Sequence, residues 1–160
     1  MSWKVTLVVQ TMRDELASRA RRLVDDTRIY EKGGLSPAQV HDLVIAANQF
    51  PSPEKVEQYT REATGRSQPK DLTLAERGKG EAWKKACPAR HGEGWQFFGE
   101  RLQEEVRGIV TDARNKARGV GADRTQQQTV AMACLREFFG YLMWYFVACN
   151  NGLSLSATQA

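Results

Sequence analysis

Apolar positions along this chain recur at helical spacing. Val5, Val8, Met12, Leu16 and Leu23 share one face of a helix predicted over 4–29, with Arg21 and Arg28 on the opposite face. That helix is expected to end before Gly33-Gly34. A second helix opens with strong start signals: Ser36 as N-cap, Pro37 at the first helical position and Gln39 to complete a capping box. Val40, Leu43, Val44 and Ala47 continue its apolar face until Pro51 stops it. Ser52-Pro53-Glu54 restarts the chain the same way, and a third helix is predicted to about Thr64, with Gly65 as terminator.

Residues 66–93 break the pattern. Gly78, Gly80 and Gly92, with Pro69 and Pro88, punctuate a polar stretch, which reads as loops around a short helix from Thr73 toward Lys85. A fourth helix follows over 94–118, its apolar face built from Trp95, Phe98, Leu102, Val106, Ile109, Val110, Ala113 and Ala117. A fifth runs over 125–150, and from Cys134 to Cys149 it is apolar nearly all round, as a helix central to a bundle or covered by a partner would be. Phe139, Leu142, Met143 and Phe146 recur at core spacing, while Trp144 and Tyr145 point elsewhere and are candidates for a partner interface. The prediction is an all-α, five-helix bundle with a loop-rich basic segment in the middle and no sheet. Only at the start, where Val5, Leu7 and Val9 alternate, does a strand compete.

Composition narrows the class. Hydrophobic residues make up 41% of the 160, enough for one packed core, so a single helical domain is expected over 1–152 with a flexible tail over 153–160. No wholly apolar run approaches the roughly 20 residues that span a bilayer, and the start lacks a signal-peptide pattern, which predicts a cytoplasmic protein without a membrane partner. The three cysteines, Cys87, Cys134 and Cys149, have no framework spacing; Cys134 and Cys149 read as core thiols. The net charge is only +4, but between Arg61 and Arg90 eight basic residues face four acidic ones, so the middle of the chain is its electropositive part. A polyanion suits such a patch.

Catalytic signals are absent from the pattern. The two histidines, His41 and His91, are separated by helix and loop, and Cys87 with His91 offers two metal ligands where zinc needs four. Gly78-Lys79-Gly80 is too short for a phosphate loop. No catalytic residue, metal or cofactor is expected. The arginines say more. Arg107, Arg114 and Arg118 lie within about 40° of one another on the fourth helix, at axial steps of about 10 Å and 6 Å. Such a ladder can follow backbone phosphates, each guanidinium fork donating two parallel hydrogen bonds. In the basic middle, Arg61, Arg66, Lys84 and Lys85 are the further candidates for phosphate binding, and Trp83 beside Lys84-Lys85 can stack on an unpaired base.

Two stretches carry a resemblance. Leu35-Ser36-Pro37-Ala38-Gln39-Val40-His41-Asp42-Leu43, continuing through Pro53-Glu54-Lys55-Val56-Glu57-Gln58-Tyr59 to Gly65-Arg66, resembles the entry helix and following helix of small subunits of type III CRISPR effector complexes. Trp95 with Phe98-Gly99, then Leu135-Arg136-Glu137-Phe138-Phe139-Gly140-Tyr141-Leu142, suits their later helices. The chain departs from the pattern where His41 and Asp42 stand in place of an arginine. The resemblance implies a non-catalytic helical bundle whose copies stack in the complex beside other subunits and bind guide RNA and target RNA through basic residues. Two other readings stand beside it: a helical adaptor or inhibitor that binds protein through the last helix, and a small nuclease using His41 and His91.

Overall fold

The helical spacing that ends in a nearly all-apolar segment produces a bundle built around that segment. In a computed structural model, which describes residues 2–31, 34–65, 86–88 and 95–152, five helices form. They are α1 (Trp3–Thr27), α2 (Pro37–Gln49), α3 (Pro53–Gly65), α4 (Phe98–Gly119) and α5 (Arg124–Asn150). The fold is the expected all-α bundle. Among the described residues it departs from expectation in a ribbon of two three-residue strands, β1 (Ala86–Pro88) and β2 (Trp95–Phe97), paired antiparallel with Cys87 opposite Gln96. Trp95 therefore lies in β2 and not in the fourth helix, which opens at Phe98 instead of about Gly94. The extended backbone of Phe97 ends the ribbon, and its N–H donates to Glu100 Oε1 at 3.2 Å, closing the first turn of α4.

Local chemistry sets the other boundaries. Ser2 caps α1 by accepting from the Val5 N–H. Ser36 and Gln39 form the predicted capping box on α2. Asp123 and Gln126 form a second on α5, which starts one residue earlier than expected. The exit from α1 is tight. Arg28 adopts φ 49°, a left-handed conformation uncommon outside glycine, and the chain then folds back so that the Leu35 N–H donates to the Ile29 carbonyl at 2.9 Å. Gly34 permits that return: a Cβ there would sit 1.7 Å from the same carbonyl oxygen.

Packing follows from these directions. α1 and α5 run parallel, since Ser2 meets Gln126 near one end and Arg13 meets Glu137 further along. α4 runs antiparallel to both, with Lys4 at Gly121 and Arg19 at Glu105. α2 packs on α5 and α3 on α4. The core is one cluster in which Met12, Leu16 and Leu23 of α1, Leu102, Val106 and Ile109 of α4, and Leu135, Phe138, Phe139 and Phe146 of α5 are buried. Met143, expected in the core, is half-buried at its margin. α5 is long and apolar enough, by length and composition, to cross a membrane, and half of that apolar window is buried inside the bundle. Cys134 is fully buried against Met12, and burial pushes its thiol up to about 12.

Candidate polyanion-binding groove

Where α5 begins, it lies beside the end of α4 and the start of α3, and a groove of about 830 Å³ opens between them. Met132, buried, and Pro51 supply its apolar surface; Arg114, Arg118, Arg124 and Arg136 supply its charge. Among the described residues one carboxylate, Glu54, lines the groove with these four arginines, and Thr125, Gln127, Gln128 and Thr129 add neutral polar groups. Two helical rows converge here. Arg114 and Arg118 are one turn apart on α4. Arg124, Gln128, Met132 and Arg136 step four residues at a time along α5, so they share one stripe of that helix.

The arginines differ in how they are held. Arg114 Nη2 donates to Glu54 Oε1 at 2.8 Å and to Gln128 Oε1 at 2.6 Å, and Gln128 Nε2 donates to Glu54 Oε2 at 3.3 Å. The three side chains form a closed ring across α3, α4 and α5. The bond from Arg114 holds the Glu54 carboxyl below the usual carboxylate range. Arg136 Nε donates to the Ala47 carbonyl at 3.2 Å, near the end of α2, where an unpaired helix carbonyl welcomes a cation. Arg118 and Arg124 are exposed and make no ion pair among the described residues. Chemically, the groove can hold oxyanions on guanidinium forks; no group of three or more histidine, cysteine or acidic side chains that could hold a metal occurs among the described residues.

A second arginine cluster lies on the opposite flank of α4. Arg19, with its side chain 11% exposed, bonds to Glu15, Glu105 and Asp112 at 3.1, 3.1 and 2.6 Å. Burial alone would lower its pKa, but the bonds to Glu15 and Glu105 outweigh it and hold the guanidinium above the usual arginine range. Gly108 leaves the space Arg19 occupies, since a Cβ there would lie 2.8 Å from Arg19 Nη1. Nearby, Arg101 is buried and pairs with Asp26 at 3.1 Å.

The structure thus sorts the residues singled out from sequence. Of the α4 ladder, Arg114 and Arg118 line the groove; Arg107, two turns earlier, is exposed outside it. Arg61 is exposed on α3, also outside the groove. Arg66, Lys84 and Lys85, with Trp83, His91, the short helix expected over 73–85 and the tail over 153–160, lie outside the described residues. His41 is exposed on α2. Trp144 is 64% exposed and stacks edge-on against half-buried Tyr145, their ring centroids 4.9 Å apart. With Ala17, Gly140 and Tyr141 they line a shallow apolar slot between α1 and α5, edged by Glu137. Arg124 and Arg136 were missed from sequence. The four-residue stripe they share with Gln128 was the available signal, obscured by the apolar run that dominates the rest of that helix.

Fold and groove together define a helical bundle with a basic surface groove. Comparison with protein-family models, with curated proteins and with solved structures returns no match for this chain.

Proposed function

We propose that this protein is a non-catalytic subunit that binds RNA through its phosphate backbone, as the resemblance to small subunits of type III CRISPR effector complexes implies. The observation that carries the reading is the convergence of Arg114, Arg118, Arg124 and Arg136 on one groove where, among the described residues, Glu54 is the single carboxylate. Guanidinium groups on a rigid helical frame neutralise phosphates and release counterions without reading base sequence. Sequence choice would come from base pairing between guide and target, with the protein holding the backbone. One groove engages few phosphates, so the isolated chain binds weakly and several copies in a row gain by multivalency.

The test is RNA affinity measured by fluorescence anisotropy at low and moderate salt. Replacing Arg118 and Arg124 with alanine together lowers affinity for unrelated RNA sequences equally, and makes the slope of log affinity against log salt shallower by about 0.7 for each phosphate that is no longer neutralised. Unchanged affinity at both salts, in a variant that still melts cooperatively, sinks the reading. A second reading, a protein-binding adaptor, is favoured by one observation: the exposed Trp144 over its apolar slot. Under it, Trp144→Ala abolishes partner capture and leaves RNA affinity unchanged.

A further inference from the structure

The ring formed by Arg114, Glu54 and Gln128 has the geometry of an occupied oxyanion site. Glu54 presents two carboxylate oxygens, one to a guanidinium N–H and one to an amide N–H, from different helices. A phosphodiester also presents two non-bridging anionic oxygens, and guanidinium forks and amide donors suit both groups. We propose that Glu54 is an internal occupant of the groove, holding the place on Arg114 and Gln128 that an RNA phosphate takes when the backbone binds. The proposal rests on the RNA-binding reading above and adds the regulation of that same site.

Three features make the exchange feasible. The Glu54 side chain is 62% exposed, in the first turn of α3, so it can swing into solvent without uncovering core. An exposed ion pair is weak because water and salt screen it, so a phosphate that also reaches Arg118 and Arg124 outcompetes it. Departure of Glu54 frees one N–H of Arg114 Nη2 and one of Gln128 Nε2, and removes the one negative charge that lines the groove among the described residues. Arg19 shows what a permanent pair looks like in the same molecule: three carboxylates around one guanidinium, with Glu105 4% exposed. Glu54 has none of that enclosure. Its effect is to set a threshold, so that a lone small anion gains little in the groove while a continuous backbone that touches several arginines displaces the carboxylate.

The experiment measures binding of the full chain to oligouridylate and to a length-matched mixed-sequence RNA across a salt series. Variants are Glu54→Gln, Arg114→Ala, the two combined, and Arg118→Ala with Arg124→Ala; thermal melts confirm folding. The expected result is that Glu54→Gln tightens both RNAs about two- to five-fold, the scale of one exposed ion pair. Its salt slope stays that of wild type, because the same phosphates are neutralised once Glu54 has left its place. In the Arg114→Ala background Glu54→Gln retains at most the general effect of removing a charge, while Arg114→Ala alone makes the slope shallower by about 0.7. If Glu54→Gln binds as wild type or more weakly while the Arg118/Arg124 variant has reduced affinity, Glu54 is not an occupant and the RNA-binding reading survives. If the Arg118/Arg124 variant binds as wild type does, both the reading and the proposal fall. Glu54→Ala repeats the comparison without an amide at that position, and an equal gain excludes a new hydrogen bond from the glutamine as its cause.

Discussion

Two arginine clusters flank α4, and they do opposite things with the same side chain. On one flank Arg19 is shut between Glu15, Glu105 and Asp112, nearly out of solvent. On the other, four arginines line a groove with Glu54, and three of them have no carboxylate partner among the described residues. The first cluster is a clasp holding α1 to α4; its charge is neutralised inside the protein, and nothing of it remains for a ligand. The second keeps a positive field facing solvent. What separates a structural arginine from a binding one is the number of carboxylates its neighbours bring within reach, a property of the packed surface and not of the residue.

The sharpest way to break this comparison is to remove the clasp. Arg19→Ala removes one partner of the buried Glu105 carboxylate and unties α1 from α4, and the expected loss is about 1.5–3 kcal/mol by urea denaturation, with RNA affinity of the folded fraction unchanged. Stability held and RNA binding abolished would reverse the assignment of the two clusters. The opposite pattern is expected of Arg118→Ala with Arg124→Ala. RNA affinity there falls about ten-fold or more, roughly 1.4 kcal/mol or above, with the urea midpoint within experimental scatter because both side chains are exposed. Gly108 and Gly140 give a smaller contrast. Gly140→Ala, with open space around the added Cβ, is expected to stabilise by about 0.5–1 kcal/mol through helix propensity. Gly108→Ala should show no such gain, since its Cβ pushes on the Arg19 guanidinium and loosens the clasp.

The smallest effect is a pH dependence. Arg114 holds Glu54 below the range its carboxyl has in the unfolded chain, so the pair stabilises the fold above the ordinary carboxylate range near pH ~4.3 and that contribution disappears as pH falls through the lowered value. Glu54 is exposed, so the contribution is under about 1 kcal/mol. Urea midpoints of wild type and Glu54→Gln should therefore converge on acidification; a constant gap between them would show that the pair adds nothing to stability.

Much of the fold was legible along the chain because its helix signals are local. The Ser36-Pro37-Gln39 start, the Pro51 stop and the apolar period of 102–117 need only neighbouring residues to act, and they placed four of five helices within a few residues. The ribbon was not legible. Trp95 fits an apolar helical face by spacing alone, and only pairing with Ala86–Pro88, several residues away, draws Trp95–Phe97 into a strand. The groove was half legible. Arg114 and Arg118 stand out on α4 through the 100° rule, but their meeting with Arg124 and Arg136 depends on how α5 returns against α4 after the turn at Gly121.

Sequence by itself therefore determined what each helix is made of: its caps, its apolar face, and which of its polar residues point away from that face. Tertiary structure alone decided which charges meet. Arg19, Arg107 and Arg114 look alike in the chain, each a basic residue among acids on an amphipathic helix. One is enclosed by three carboxylates, one stands free of ion pairs among the described residues, and one shares a single glutamate. Coulomb interactions and desolvation act through space, over a few ångströms between helices far apart in sequence, so no local pattern records them.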